Sequence, residues 1–295
     1  MSSTVTQIHE SHWRNFLDDQ LHAALYESWW HKDRINYWRH TRLLAPALEI
    51  LGSFGKRTWL TVGDGAGTDA WRLIDAGLGE VLATDLDDTM LAKTKAAGFI
   101  NNYQVANAEK LPFPDNSFDF VLCKETLHHM ERPYLGLYEC LRVCRYAVAV
   151  IEPQDPYIDV PQRTDVFQPG YERVGNFVYC FSEHEINKLG LGLNLLGTAT
   201  KHMSDVYIPG CEFKTCSNEE PMWKDILLQL ANIENQTKAG FIKPNYIQAV
   251  LFKETVSPEV FDFLRTANNS WKFSNTNLNP YIANNNNQKQ PSSLK

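Results

Sequence analysis

Three alternating glycines, a strand-terminal acid and a pair of histidines are the residues of this chain whose types and spacing can do chemistry. The glycines lie in the run Trp59-Leu60-Thr61-Val62-Gly63-Asp64-Gly65-Ala66-Gly67-Thr68-Asp69, where an apolar stretch ends and a helical one begins. Glycine tolerates positive φ and lets a ligand approach the backbone closely. A helix N-terminus beyond it offers unpaired N–H groups and the positive end of a dipole. Such a turn suits a ligand carboxylate or phosphate, although a tight turn with no ligand would use the same residues. The spacing departs from the dinucleotide pattern GxGxxG, whose third glycine would fall on Thr68.

A second apolar stretch, Val81-Leu82-Ala83-Thr84-Asp85, ends in a carboxylate. Ligands of open α/β sheets sit outside the carboxyl ends of the strands, where an acid can take both hydroxyls of a ribose. Capping of the helix that starts near Asp88 is the other reading, and the two roles are compatible. For proton transfer the candidates are His128, His129 and Glu125, because imidazole titrates near neutral pH. Packing of one histidine against the sheet is the competing reading. The six cysteines form no CxxC pair. Cys140 and Cys144 have the i, i+4 spacing of a helix face and Cys123 reads as buried, so no metal site is expected.

These residues need elements to position them. From 57 to 155 strand-like and helical stretches alternate, which predicts βαβ units and a mostly parallel sheet flanked by helices, an α/β Rossmann-like fold. Strands are expected at Arg57–Val62, Val81–Thr84, Tyr103–Ala106, Phe118–Cys123 and Ala147–Ile151, with helices at about 68–76, 88–97 and 133–144. Residues 1–55 read as an N-terminal helical cap or lid, 56–255 as the main domain, and 152–180 and 203–240 as substrate-side insertions. Residues 256–273 are expected to form a C-terminal helix, and 274–295, rich in Asn, Gln and Ser, a disordered tail. Ser182-Glu183-His184-Glu185 is a capping box, and further strands are expected at Leu195–Thr200 and Tyr246–Phe252.

Composition narrows the function classes. With 295 residues and 43% hydrophobic content the chain can bury a sizeable core. A net charge of −7 weighs against nucleic acid as a partner, since affinity there comes from neutralising phosphates. The N-terminus lacks the basic-then-apolar pattern of a signal peptide, and no apolar run is long enough to span a bilayer. A cytoplasmic enzyme with no membrane partner is the expectation.

Beyond the glycines and Asp85 come Asn107-Ala108-Glu109-Lys110-Leu111-Pro112-Phe113, then Asp115-Asn116-Ser117-Phe118-Asp119, then Thr126-Leu127-His128-His129. Four motifs in this order resemble those of the class I S-adenosylmethionine-dependent methyltransferases over residues 57–155, and more weakly to about 253. The fifth strand, ending Ile151-Glu152-Pro153, is also similar. The resemblance implies S-adenosyl-L-methionine as cofactor. It would place Gly63, Gly65 and Gly67 against the methionine part, Asp85 and Leu86 at the ribose, Asn107, Ala108 and Glu109 at the adenine edge, and Lys124 near the methionine moiety or acceptor. Two departures stand out. Thr61 replaces an acid two residues before the first glycine, so Asp64 or Asp69 would have to meet the cofactor's ammonium. Asn107 replaces an aspartate, and its side-chain carbonyl still accepts a hydrogen bond.

The activity so implied is methyl transfer to an oxygen, or failing that a nitrogen, of a small molecule, sugar or natural product. O-methylation of a peptide or metabolite carboxylate is the alternative. From other classes, an NAD-type oxidoreductase and a non-catalytic cofactor-binding regulator stay open. Acceptor contacts are expected from Trp30, Tyr37 and Trp38 of the N-terminal helices, although core packing alone would explain most of the aromatics there. Arg163 and Arg173 would either clamp a carboxylate or stand solvated. A homodimer through the N-terminal helices is a further expectation.

Overall fold

Gly52 and Gly55 bound the N-terminal helical region, with Gly55 at φ 72°. In the computed structural model, which describes residues 4–154, 170–172, 176–254, 258–266, 270–276, 279 and 281, three helices precede the sheet. They are α1 (Thr4–Arg14), α2 (Gln20–Ser28) and α3 (Ile35–Leu51). Strands and helices then alternate as β1 (Arg57–Val62), α4 (Thr68–Asp75), β2 (Gly79–Asp85), α5 (Thr89–Ala96), β3 (Asn102–Val105), β4 (Phe118–Lys124), α6 (Pro133–Val143) and β5 (Cys144–Pro153). The remainder is α7 (Glu183–Gly192), β6 (Gly197–Met203), α8 (Pro221–Lys238), β7 (Tyr246–Phe252), α9 (Pro258–Arg265) and β8 (Lys272–Asn275).

The strands form one sheet in the order β3-β2-β1-β4-β5-β7-β6-β8. β1 to β5 are mutually parallel, while β7 runs antiparallel to both β5 and β6. The order reverses between β1 and β4, so the carboxyl ends of these two strands flank the switch point where ligands of open sheets bind. Central strands are buried on both faces and alternate between two cores. Trp59, Phe120 and Ala149 pack on one side with Leu43, Leu51 and Leu73. Leu60, Val121 and Val150 pack on the other with Leu137 and Phe181. Ser182 caps α7 with the reciprocal Ser182–Glu185 bonds of a capping box, as its sequence predicts.

β8 is a correction. The sequence places 256–273 in a helix and begins a disordered tail at 274, yet Lys272–Asn275 pairs antiparallel with the outer edge of β6. The strand follows from that edge rather than from its own pattern. Gly197, with no side chain, admits the ring of Phe273, which would lie 2.7 Å from a Cβ there. Among the described residues no helix is long and apolar enough to cross a membrane.

α1 and α2 dock beside the glycine run. Phe16 and Tyr26 share a small core with Ala66 and Met90, closed over by Trp13 and Trp29. Tyr26 is fixed by a 2.8 Å hydrogen bond between its hydroxyl and that of Thr94.

Candidate active site

Gly63, Gly65 and Gly67 all adopt positive φ, at 67°, 56° and 79°. At Gly63 the reason is also spatial, since a Cβ would stand 2.0 Å from Thr126 Cγ2. Thr126, which follows β4, donates its hydroxyl proton among the carbonyls of Gly63 (3.0 Å) and Lys124 (2.9 Å), locking the β1 and β4 ends together. Gly67 is the N-terminal residue of α4 and packs under Ile100 and Leu91.

The acids of the run have separate tasks. Asp64 accepts from the Thr61 hydroxyl (2.7 Å) and from the backbone N–H groups of Asp69 (2.9 Å) and Ala70 (2.8 Å). It therefore caps α4, with both oxygens engaged. Burial, then the nearby Asp69 charge, pushes its carboxyl up to about 7. Asp69 differs: its Oδ2 lies 3.3 Å from Lys124 Nζ, while Oδ1 is buried with no hydrogen-bond partner. Oδ1 lies 3.7 Å from Arg72 Nη1, and Asp69 lines a cleft of about 630 Å³ with Gly63, Gly65, Lys124, Glu125, His40 and Trp29. Of the two acids that the sequence offers for the cofactor's ammonium, Asp69 is the one with capacity to spare.

Asp85, at the end of β2, accepts from Gly65 N (2.8 Å) and Leu86 N (2.7 Å). Burial raises its carboxyl to about 6, against the lowering pull of these bonds. It lines a second cleft of about 710 Å³, shared with Gly63, Leu86, Asn107, Ala108, Glu109 and His129. Asn107 Oδ1 accepts from Glu109 N at 2.8 Å, and Glu109 is paired with Arg132. The two clefts meet at Gly63, Glu125 and Trp13. His9 and Trp13 of α1 roof the larger one.

Beyond β4, Glu125 holds φ 51°, strained for a non-glycine residue. The strain aims its carboxylate at Lys124 Nζ (2.9 Å), His40 Nδ1 (3.1 Å) and the Tyr246 hydroxyl (2.8 Å). Burial would raise this acid, but Lys124 and His40 outweigh it and hold it well below the usual carboxylate range. A carboxylate so satisfied is a poor base, which sets Glu125 apart from the two histidines. Lys124 in turn is kept protonated by Asp69 and Glu125 despite its burial.

His128 is buried, and its Nδ1 lies 2.6 Å from Glu152 Oε2. Glu152, fully buried at the end of β5, also accepts from the N–H groups of Thr126 (3.0 Å) and Leu127 (2.8 Å). Burial alone would lower the His128 pKa, and the Glu152 charge reverses this and raises it. His129 Nδ1 lies 2.7 Å from Glu172 Oε2. Asn176 connects the group, donating to His128 O at 3.3 Å and standing 3.2 Å from His9 Nε2. Glu152, Glu172, Asn176 and His9 were not singled out from the sequence. Only Glu152 carried a signal, as the acid closing a strand at the site's end of the sheet.

Trp30, Tyr37 and Trp38 correct the expected acceptor contacts, because none lines either cleft. Trp30 stacks on Phe99 (4.2 Å between ring centroids), Tyr37 packs edge-on to Trp71, and Trp38 edge-on to Trp223. Their helices turn these faces inward, where aromatic area is best buried. The tryptophans that reach the site are Trp13, which lines both clefts, and Trp29, which lines one. Arg163 and Arg173 lie outside the described residues.

Residues 60–150 match the family described as a methyltransferase domain. The chain is similar to ubiquinone/menaquinone biosynthesis C-methyltransferase UbiE of Pasteurella multocida, at 36% identity over 28% of this chain and 33% of that protein. To the enzyme of the same name from Laribacter hongkongensis it is 29% identical over 44% of this chain and 50% of the other. The matched stretches thus span a third to a half of these curated relatives. In fold it is similar to phosphoethanolamine N-methyltransferase 2 of Haemonchus contortus, solved with phosphomonomethylethanolamine and S-adenosylhomocysteine. That match has a TM-score of 0.51 at 15% identity, over 82% of this chain and 61% of the other.

Proposed function

We propose that this chain, whose residues 60–150 match a methyltransferase domain, uses S-adenosylmethionine to methylate a small-molecule acceptor in the clefts beneath α1. The reading is carried by one observation. The glycine turn after β1, Asp85 after β2, Asn107 and Ala108 after β3, and His129 after β4 converge on adjoining clefts at the sheet's switch point, with His128 buried beside His129.

When bound, S-adenosylmethionine supplies an electrophilic methyl group on a positively charged sulfur. The residues present suit it. Asp85 would accept from the ribose hydroxyls, Asn107 and Ala108 would border the adenine, and Asp69 Oδ1 would accept from the ammonium. Trp13 covers the glycine turn and excludes water from the place where the acceptor must be held. Positioning of this kind supplies much of the rate of a displacement. His128 and His129 stand where the acceptor's proton must be released, and Glu152 fixes the His128 ring.

An acceptor oxygen, a hydroxyl of a sugar or natural product, is the reading we favour. The C-methyltransferase name of the relatives favours a second: transfer to a carbon. The acceptor gives up a proton in either case, so the same histidines serve both. The antiparallel β7 inserted beside β5 departs from the parallel 3-2-1-4-5-6 order of dinucleotide enzymes and supports methyl transfer over an NAD-type oxidoreductase.

Calorimetric titration tests the cofactor assignment. S-adenosylhomocysteine should bind and NAD should not, with at least ~10-fold weaker binding in Asp85→Ala, as expected for loss of a charged hydrogen-bond partner. Equal affinity in that variant would remove Asp85 from the site. Incubation of metabolite pools with methyl-labelled cofactor, read by mass spectrometry of the product, decides between oxygen and carbon.

A further inference from the structure

His128, His129 and Glu172 bring one ligand atom each within 4.8 Å of one another. His129 Nδ1 stands 2.7 Å from Glu172 Oε2, and His128 Nε2 stands 3.9 Å from Glu172 Oε1. Ligands held about 2.0–2.2 Å from a tetrahedral ion lie roughly 3.3 Å apart, so changes in separation of up to about 1.5 Å would close the set. A second, independent feature points the same way. The Nδ1 side of His128 is spent on the buried Glu152 carboxylate, at 2.6 Å. That fixes the tautomer with its proton on Nδ1 and turns the Nε2 lone pair toward Glu172. Metal-ligating histidines have this carboxylate–histidine arrangement as their outer shell.

We propose that His128, His129 and Glu172 form a divalent-cation site at the inner end of the larger cleft. The site replaces the metal-free one expected from the sequence. Two imidazoles and one carboxylate favour a borderline cation of the zinc, cobalt or iron(II) class over magnesium or calcium, which prefer all-oxygen shells. Three protein ligands leave positions open, as in catalytic rather than structural sites. His129 lines the cleft, and its side chain and that of Glu172 are each about one-third exposed, so those positions face the acceptor's space. An acceptor hydroxyl placed there would lose its proton to solvent more readily, because the cation stabilises the oxyanion. This last step rests on the methyl-transfer reading; cation binding does not. With the ion bound, His128 and His129 would act as ligands and not as bases, and Asn176, which contacts His128 O, His129 Nδ1 and His9 Nε2, would brace them.

The test uses the full untagged chain after treatment with a chelator. Titration with Co²⁺ should give one saturable visible absorption per chain, abolished by stoichiometric Zn²⁺. Glu172→Gln and His129→Ala should each weaken Co²⁺ binding at least ~10-fold, and Glu152→Gln by ~10–100-fold through the outer shell. Glu172 is half-buried, and an unchanged circular dichroism spectrum shows that its variant folds. No saturable binding, or equal affinity in Glu172→Gln and His129→Ala, would overturn the site. S-adenosylhomocysteine titration of the same samples separates the two readings: Co²⁺ binding without it would leave the cation site standing and remove methyl transfer.

Discussion

At Gly63 and Asp85, one backbone position and one carboxylate decide whether the cleft can exist. Alanine at Gly63 would place its Cβ 2.0 Å from Thr126 Cγ2 at φ 67°. Positive φ costs a non-glycine residue about 1–2 kcal/mol, and overpacking adds about 1–3 kcal/mol. Gly63→Ala should therefore lose about 2–5 kcal/mol of stability in denaturant unfolding. Adding Thr126→Ser removes the colliding methyl and should restore part of that loss, whereas no recovery would show that the strain lies in the backbone alone. Asp85 sets a pH dependence. Its folded carboxyl is raised by burial to about 6, and on the proposed reading it is the ionised form that would accept both ribose hydroxyls. Affinity for S-adenosylhomocysteine should thus be level above pH 7 and fall by up to about tenfold per unit as pH drops below 6. Asp85→Asn should bind weakly with that slope gone. The glycines and Asp85 were readable in the sequence because local constraints, positive φ and a strand-ending acid, select them. Glu172 and Asn176 were not, since their partners are more than 40 residues away.

Elements inside the alternating region were legible for the same reason that buried parallel strands are apolar throughout. β1 and β7 match their expected bounds, while β2 and β5 extend beyond theirs into polar residues that only pairing recruits. β8 was invisible because its partner, the edge of β6, lies far back in the chain, 78 residues away at the Gly197↔Asn275 pair. The aromatic stripe of the N-terminal helices was read as acceptor-facing and is largely core, since periodicity reveals an apolar face but not what covers it. What fixes α3 to the sheet is likewise non-local. Arg39 and Arg42 both reach Asp205, just past β6, with Arg42 Nη2 at 2.9 Å, and Arg39 and Asp205 are 4% and 5% exposed. Removing one member of such a group leaves buried charge uncompensated, at a cost of about 3–5 kcal/mol. Asp205→Ala should therefore lower Tm by about 5–10 °C while leaving the affinity of the folded protein for S-adenosylhomocysteine within about twofold, because no atom of the latch borders the clefts. A large loss of affinity at unchanged Tm would contradict this division between latch and site.

For the molecule as a whole, the N-terminal helices and the sheet meet at the place where the ligand would lie. His9 and Trp13 come from α1, Gly63 and Gly65 from the β1–α4 turn, and Asp85 and Asn107 from the ends of β2 and β3. A ligand touching all of them exists only while the N-terminal helices stay docked on the sheet. Its binding free energy is then added to the stability of the entire fold rather than to one loop. At a concentration one hundred times its dissociation constant, a ligand specific for the folded state contributes about 2.7 kcal/mol. Unfolding entropy of about 2 cal/mol/K per residue, over 295 residues, converts this to a rise in Tm of about 4 °C. S-adenosylhomocysteine should produce that shift in a single transition and NAD none. Trp13→Ala, which opens the roof between the clefts, should shrink the shift with S-adenosylhomocysteine by at least half at the same ligand concentration. Two separate transitions, with only one moved by the ligand, would mean that the helices unfold independently and do not close over the site.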